Sequence, residues 1–119
     1  MHEIYKDFAF EAAHFLPHVP QGHRCAKLHG HSFRVRVYVR GGIVQPQGWV
    51  IDFADITAAM APVLKRLDHT LLNEVPGLDN PTSEVLAQWL YERAKPALPG
   101  LCAVEVAETA NCGCVYRPT

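Results

Sequence analysis

The sequence predicts an α+β fold, in which an antiparallel sheet carries two helices on one of its faces. Two segments near the start alternate apolar and polar residues, two in the middle repeat apolar residues at helical spacing, and the last segments alternate again. Consecutive strands and consecutive helices are typical of α+β proteins, whereas a parallel sheet needs alternating strands and helices. The predicted order is strand, strand, helix, helix, strand, strand, with a four-stranded sheet.

The first strand is predicted over residues 4–15. Phe8, Phe10 and His14 share one parity there, and Asp7 lies on the other. Successive side chains of a strand point to opposite faces, so the pattern predicts an apolar face that ends at His14.

The second strand is predicted over residues 31–40, where Phe33 and Val35 begin a clear alternation with polar residues. A loop rich in proline and glycine, residues 17–28, precedes this strand and contains Cys25. The loop places a thiol just before the second strand.

The first helix is predicted to start after Asp52, whose carboxylate can accept the free N–H groups of a first helical turn. Apolar residues at helical spacing form its expected core face, namely Phe53, Ile56, Met60, Val63, Leu64 and Leu67. Pro62 interrupts this pattern, so we expect a kink or an irregular turn there.

The second helix is predicted to start near residues 80–82, and one option is Asn80 as N-cap with Pro81 at the first helical position. Ser83 and Glu84 suit the positive end of its dipole. Five apolar residues form its expected buried face, Val85, Leu86, Trp89, Leu90 and Ala94.

The last two strands are predicted over residues 101–109 and 112–116. Glu108 continues the parity of Val104 and Val106, so a carboxylate ends an apolar face. A small sheet of this kind leaves two open edges, which invite pairing with other subunits.

Length, charge and composition limit the class of protein. The 119 residues are expected to form a single domain, residues 1–119, and the net charge of −1 argues against general binding to nucleic acid or membrane surfaces. The start of the chain does not resemble a signal peptide, and no apolar run could cross a bilayer. Four cysteines are too few for a disulfide framework, so we expect free thiols in the cytoplasm. No role is predicted for Cys112 and Cys114.

Three histidines form the central chemical pattern. If the second strand already runs at residue 29, His29 and His31 share a face, with Cα atoms about 6.6 Å apart, and His14 ends the neighbouring strand. Antiparallel pairing would bring these three imidazoles together. Three neutral histidines leave a coordination position open, as catalytic zinc sites do. An alternative is a closed structural site in which Cys25 is the fourth ligand.

Several other groups have two interpretations. Asp68 and His69 form either a proton-transfer pair or the ordinary end of a helix. Glu108 either emerges at the rim of the sheet or accepts hydrogen bonds from a ring with adjacent N–H donors. Arg24 and Lys27 either lower the pKa of Cys25, bind an anionic tail, or are solvated loop charges.

Short motifs in order along the chain resemble one known family. They are Phe10-Glu11-Ala12-Ala13-His14, Cys25-x-x-x-His29-Gly30-His31, Val50-Ile51-Asp52-Phe53, Leu67-Asp68-His69, Leu72-Asn73, Pro81-Thr82-Ser83-Glu84 and Glu108-Thr109. Together they resemble the 6-pyruvoyltetrahydropterin synthase family, in its bacterial branch of 6-carboxy-5,6,7,8-tetrahydropterin synthases. The resemblance covers almost the whole chain, and the spacing after Cys25 is the shorter, bacterial one.

The resemblance implies the tunnelling fold, or T-fold, with four antiparallel strands and two helices per subunit. Three subunits would close a barrel, two trimers would stack into a homohexamer, and the sites would lie at subunit interfaces. The resemblance also implies a role for each site residue. His14, His29 and His31 would hold Zn²⁺, Cys25 would be the catalytic base, Asp68 and His69 the proton relay, Glu108 the pterin anchor, and Thr82, Ser83 and Glu84 neighbours of the pterin ring.

The implied reaction converts 7,8-dihydroneopterin triphosphate to 6-carboxy-5,6,7,8-tetrahydropterin, with release of acetaldehyde and triphosphate, in queuosine biosynthesis. One rival within the same fold is the release of 6-pyruvoyltetrahydropterin. A rival of another class is a non-catalytic, zinc-stabilised binding module in which Cys25 ligates the metal.

Overall fold

Five strands and two helices make up the computed structural model, which describes residues Met1–Thr119. In chain order the elements are β1 (His2–His14), β2 (His29–Gly41), α1 (Phe53–Lys65), β3 (Thr70–Leu71), α2 (Ser83–Ala94), β4 (Leu101–Thr109) and β5 (Cys112–Tyr116). Three short 3₁₀ turns, Arg24–Ala26, Leu72–Glu74 and Lys95–Ala97, lie between them. The predicted α+β class and the order of the long elements are confirmed.

The sheet has the strand order β3-β1-β2-β4-β5 and therefore five strands, not the predicted four. The additional strand β3 has two residues and pairs in parallel with β1, placing Thr70 beside Ala12. Two residues are too few to show alternation, which is why the sequence did not reveal this strand. The other neighbouring strands are antiparallel, as predicted.

The pairing of β1 with β2 runs without interruption from His2↔Gly41 to His14↔His29. This register is consistent with the alternation, because Phe10 lies opposite Phe33 and their rings stack 5.0 Å apart. A shift by one residue would turn every apolar side chain to the other face. The register therefore places the histidines of the two strands together at one end of the sheet.

One face of the sheet and the two helices enclose the core. Val35, Val37 and Val39 of β2 are buried there, together with Leu86 and Leu90 of α2. Most of the predicted helix faces are buried, but Phe53 is 50% exposed, contrary to the prediction. Phe53 is the first residue of α1, and its position at the helix end accounts for its exposure.

The helix starts are partly as predicted. Asp52 is the N-cap of α1 and accepts a hydrogen bond from the backbone N–H of Ala54 at 2.9 Å. The helix continues without a break through the exposed Pro62 to Lys65. The N-cap of α2 is Thr82 and not Asn80, because the Thr82 hydroxyl accepts the N–H of Val85 at 3.1 Å.

The other face of the sheet is polar. Arg36 donates two hydrogen bonds to Asp7, at 2.7 and 3.0 Å, and Tyr38 donates one to Glu105 at 3.2 Å. The helices leave this face uncovered, and both edges of the sheet, β3 and β5, are unpaired. Neither helix combines the length and the apolar character needed to cross a bilayer.

Candidate metal centre and active site

Three imidazoles converge at the end of the β1–β2 pair. His14 lies directly opposite His29 in the register, and His31 follows two residues later on the same face of β2. Their candidate ligand nitrogens all lie within 4.8 Å of one another. The convergence expected from strand parity is therefore present, and the cluster contains no cysteine.

Backbone carbonyls orient two of these rings. The Nδ1 atom of His14 lies 2.9 Å from the carbonyl oxygen of Pro81, and the Nδ1 atom of His29 lies 2.7 Å from that of Lys27. Carbonyl oxygens only accept hydrogen bonds, so each Nδ1 carries the proton and donates it. The Nε2 atoms of both residues keep their lone pairs, which is the arrangement found in histidine metal ligands.

The remaining nitrogens fit a divalent metal. The Nε2 atoms of His14 and His31 are buried and have no hydrogen-bond partner. An unsatisfied buried polar atom costs about 1–3 kcal/mol, and a metal ion would satisfy both atoms. Burial lowers the pKa of His14, despite opposing contributions from Pro81 and Glu108, and this favours the neutral, ligating form.

The Glu108 carboxylate lies beside this cluster. Its Oε2 atom is 3.4 Å from Nε2 of His31, and its Oε1 atom is 3.8 Å from Nε2 of His14. The Ser83 hydroxyl donates a hydrogen bond to Oε1 at 3.1 Å. Of the two interpretations of Glu108, the geometry favours the ligand-facing one, because the carboxylate is 25% exposed and faces both the histidines and a cavity.

That cavity has a volume of about 290 Å³ and lies between the start of α2 and strand β5. Its lining residues are Ser83, Glu84, Glu108, Cys112, Gly113 and Cys114. The two cysteines that line it, Cys112 and Cys114, have no predicted role. The tight turn after β4 could have revealed their position, because it places Cys112 opposite Thr109 and hence next to Glu108.

Residues at the start of α2 have structural roles that the motif Pro81-Thr82-Ser83-Glu84 did not imply. The Thr82 side chain caps the helix, so its hydroxyl oxygen is already hydrogen-bonded. Pro81 contributes its carbonyl to His14, and Glu84 is exposed at the edge of the cavity. The role of the Pro81 carbonyl was missed, because no sequence pattern marks which backbone oxygen meets a distant ring.

Cys25 lies in the 3₁₀ turn Arg24–Ala26 and is half-buried. Its thiol is not part of the histidine cluster, which favours the open metal site over the closed one that uses Cys25. Arg24 and Lys27 on either side are exposed, and their side chains form no ion pair.

Asp68 and His69 form a hydrogen-bonded pair. Asp68 Oδ2 lies 3.0 Å from Nδ1 of His69, and Asp68 Oδ1 accepts the backbone N–H of Glu11 at 2.9 Å. Both contacts lower the pKa of Asp68, and the hydrogen bond from Glu11 has the larger effect. His69 has a positive φ of 60° and is 78% exposed. His69 lines an open groove of about 600 Å³ with Glu11 and Ser32, whose parity places them on the sheet face opposite to the histidine cluster.

Comparison with known proteins identifies relatives along the whole chain. The family model described as 6-pyruvoyl tetrahydropterin synthase matches residues 3–119. A 6-carboxy-5,6,7,8-tetrahydropterin synthase of Synechocystis is 46% identical over 119 residues, which cover 95% of this chain and 91% of the relative. The enzyme of that name from Bacillus subtilis is 34% identical over 133 residues, which cover 98% of this chain and 85% of the relative.

Two further similarities bear on function and fold. A dihydroneopterin monophosphate aldolase of Pyrococcus furiosus is 39% identical over 92 residues, which cover 77% of this chain and 74% of the relative. The solved structure of 6-pyruvoyl tetrahydropterin synthase from Caenorhabditis elegans superposes with a TM-score of 0.89 at 25% identity, covering 98% of this chain and 95% of that one. The chain belongs to the 6-pyruvoyl tetrahydropterin synthase family.

Proposed function

We propose that this protein is a 6-carboxy-5,6,7,8-tetrahydropterin synthase, a carbon–carbon lyase acting in queuosine biosynthesis. Its substrates are 7,8-dihydroneopterin triphosphate and one water molecule, and its products are the carboxypterin, acetaldehyde and triphosphate. The observation that carries this proposal is the similarity to the Synechocystis enzyme of that name, which extends over nearly the whole of both chains. The arrangement of the histidines, Glu108 and the Asp68–His69 pair supports it.

Zinc is the metal that we propose for His14, His29 and His31. Three imidazoles with free Nε2 atoms suit zinc and leave a coordination position open for a substrate. Zinc bound by these residues would supply a Lewis acid for a hydroxyl group of the substrate side chain.

Glu108 is the proposed anchor of the pterin ring. The ring presents a 2-amino group and an adjacent ring N–H, and a carboxylate has two oxygens that can accept both hydrogen bonds. The Ser83 hydroxyl restrains one carboxylate oxygen, so the anchor is oriented before the substrate binds. We place the ring in the cavity beside Glu108, with Ser83 and Glu84 at its border and Thr82 holding the helix start.

Cys25 is the proposed base that removes a proton from the side-chain carbon next to the polarised hydroxyl. A positioned base of this kind contributes a factor of about 10²–10⁴ to a reaction rate. The Asp68 carboxylate accepts the Nδ1–H of His69 and so leaves the His69 Nε2 free to carry a proton to or from the substrate. Loss of triphosphate leaves a carbonyl group in the side chain, and addition of one water molecule followed by carbon–carbon cleavage gives the carboxyl group and acetaldehyde.

The triphosphate is the most highly charged part of the substrate. Arg24 and Lys27 are exposed cations on either side of Cys25 and have no acidic partner in the chain. We propose that they bind the triphosphate, because unpaired guanidinium and ammonium groups beside a site favour phosphate oxygens.

A homohexamer with sites between subunits is part of the proposal. Asp68 and His69 precede the open edge strand β3, whereas Glu108 lies beside the opposite open edge β5. If the edge strands of neighbouring copies pair, Asp68 and His69 of one copy would approach Glu108 of the next. The exposed apolar side chains Ile43, Val44, Trp49 and Phe53 support a second contact between copies.

A cytoplasmic location completes the proposal. Cys25 acts as a base only when it is reduced and in the thiolate form, and the cytoplasm keeps cysteines reduced. All four cysteines of the chain are free.

The test is incubation of the zinc-loaded protein with 7,8-dihydroneopterin triphosphate, with assays for acetaldehyde and for the pterin product. Acetaldehyde in equal amount to the carboxypterin supports the proposal. A pyruvoyl product without acetaldehyde would assign the related synthase activity, and absence of turnover, with unfolding when zinc is removed, would favour the binding module.

The similarity to the Pyrococcus furiosus aldolase favours one further candidate, the cleavage of dihydroneopterin monophosphate. Both activities cleave a carbon–carbon bond, but they differ in the phosphate of the substrate. A parallel incubation with the monophosphate separates them, since an aldolase of that type would turn over the monophosphate and not the triphosphate.

A further inference from the structure

We propose that His23 is a positioning residue for Cys25, which it holds through a single hydrogen bond to the backbone. The inference rests on the proposed role of Cys25 as the catalytic base. His23 belongs to none of the motifs that point to the family, and it lies outside the histidine cluster.

Cys25 lies in a long connection between β1 and β2, residues 15–28, whose only regular element is the turn Arg24–Ala26. Long loops of this kind adopt several conformations unless specific contacts restrain them. A proton-transfer step requires the thiol within hydrogen-bond reach of the reacting carbon. The contacts that restrain this turn therefore affect the reaction.

Two hydrogen bonds hold the backbone of Cys25. Its carbonyl oxygen accepts the N–H of Leu16 at 2.8 Å, and its own N–H donates to Nδ1 of His23 at 3.0 Å. The first bond comes from the backbone, so every side chain at position 16 except proline preserves it. The second depends on the side chain of His23, which is the N-cap of the turn.

The tautomer of His23 is opposite to that of two members of the histidine cluster. Nδ1 of His23 accepts a hydrogen bond, so its proton lies on Nε2, whereas Nδ1 of His14 and His29 donates to a carbonyl. Ser, Thr, Asp and Asn are the usual N-cap residues, because their side-chain oxygens accept the same backbone N–H. An asparagine at position 23 should therefore replace the acceptor without an imidazole.

The turn also contacts the metal site. Lys27 closes the turn with a hydrogen bond to the Arg24 carbonyl at 3.3 Å, and the Lys27 carbonyl accepts the Nδ1–H of His29. His29 itself belongs to β2 and pairs with His14, so the strand keeps it in place when the turn loosens. Loss of the cap should therefore displace Cys25 and leave metal binding intact.

The experiment compares His23→Ala, His23→Asn and the control His18→Ala with the wild-type protein. His18 is an exposed histidine of the same loop and makes no side-chain hydrogen bond. The first measurement is the rate at which iodoacetamide alkylates Cys25, resolved by peptide mass spectrometry. Cys102 of β4 serves as the internal reference within each sample.

We expect the alkylation rate of Cys25 to rise about fivefold in His23→Ala. The loss of an N-cap typically shifts the equilibrium between the ordered and the open turn by about that factor. The kcat should fall by less than that factor, because it depends on the ordered population that remains, and the zinc content should stay unchanged. His23→Asn should restore the wild-type values, and His18→Ala should match the wild type.

Three outcomes would overturn the inference. They are wild-type alkylation and kcat in His23→Ala, failure of His23→Asn to restore either value, and loss of zinc in proportion to kcat. The alkylation rates decide the role of His23 independently of turnover. A wild-type protein that does not convert 7,8-dihydroneopterin triphosphate would instead contradict the proposed function.

Discussion

The His14 imidazole and the Pro81 carbonyl oxygen lie 2.9 Å apart, and this contact joins the end of β1 to the segment that opens α2. It fixes the His14 proton on Nδ1 and directs Nε2 towards the other two histidines. The same segment supplies Ser83, which holds the Glu108 carboxylate. One helix start therefore orients a candidate metal ligand and the candidate substrate anchor.

Removal of a histidine of the cluster should remove the metal. His29→Ala is expected to lose most of the zinc and most of the activity, because two imidazoles bind zinc far more weakly than three. Atomic spectroscopy of the purified variant measures the zinc content, and the exposed His18→Ala is the matched control. Full zinc occupancy in His29→Ala would exclude this site.

The metal-free protein should lose stability as the pH falls. The pKa of His14 is lowered in the fold, so between the folded value and the unfolded value of about 6.5 the unfolded chain binds more protons. Stability from this group is therefore present above pH 6.5 and declines below it. Thermal denaturation at several pH values should show a smaller decline for His14→Gln, and an identical decline would contradict the assignment.

Loss of the carboxylate at position 108 should weaken substrate binding. Glu108→Gln replaces one acceptor oxygen with a donor, and the expected loss is about 2–5 kcal/mol of binding free energy, the range for a broken buried hydrogen-bonded charge pair. Calorimetric titration with a pterin ligand measures this loss. Glu105→Gln, on the polar face of the sheet, is the control, and unchanged affinity in Glu108→Gln would place Glu108 outside the pocket.

Cys25→Ala separates a base from a metal ligand. Turnover should fall by a factor of about 10²–10⁴, the usual contribution of a positioned base, while zinc content and assembly stay intact. Acetaldehyde release and zinc are measured on the same preparation, with Cys102→Ala as the control. Zinc that falls in proportion to activity would make Cys25 a ligand and favour the binding module.

If each site is formed by two subunits, two inactive variants should recover activity when their subunits are mixed. Mixed assemblies of Cys25→Ala and His69→Ala subunits should recover about a quarter of the wild-type activity, since random mixing pairs an intact Cys25 with an intact neighbouring His69 at that frequency. Light scattering before and after mixing measures the assembly. An active monomer, or no recovery in verified mixed assemblies, would contradict sites between subunits.

The local pattern of the sequence determined much of this protein. Alternation placed His29 and His31 on one face of β2 and ended the apolar face of β1 at His14. Asp52 marked the start of α1 by its own side chain, because an N-cap acts on the adjacent turn. These features depend on residues that are close in the chain, so periodicity and capping chemistry reveal them.

Only the tertiary structure decided how distant segments meet. His14 and Pro81 are 67 positions apart, Ser83 and Glu108 are 25 apart, and the two residues of β3 pair with β1 across a helix. Periodicity predicts the face on which a side chain lies, but it does not specify which remote carbonyl or hydroxyl that side chain contacts. The contacts of Pro81 and Ser83 follow from the packing of α2 against the sheet, and they determine the tautomer of His14 and the orientation of Glu108.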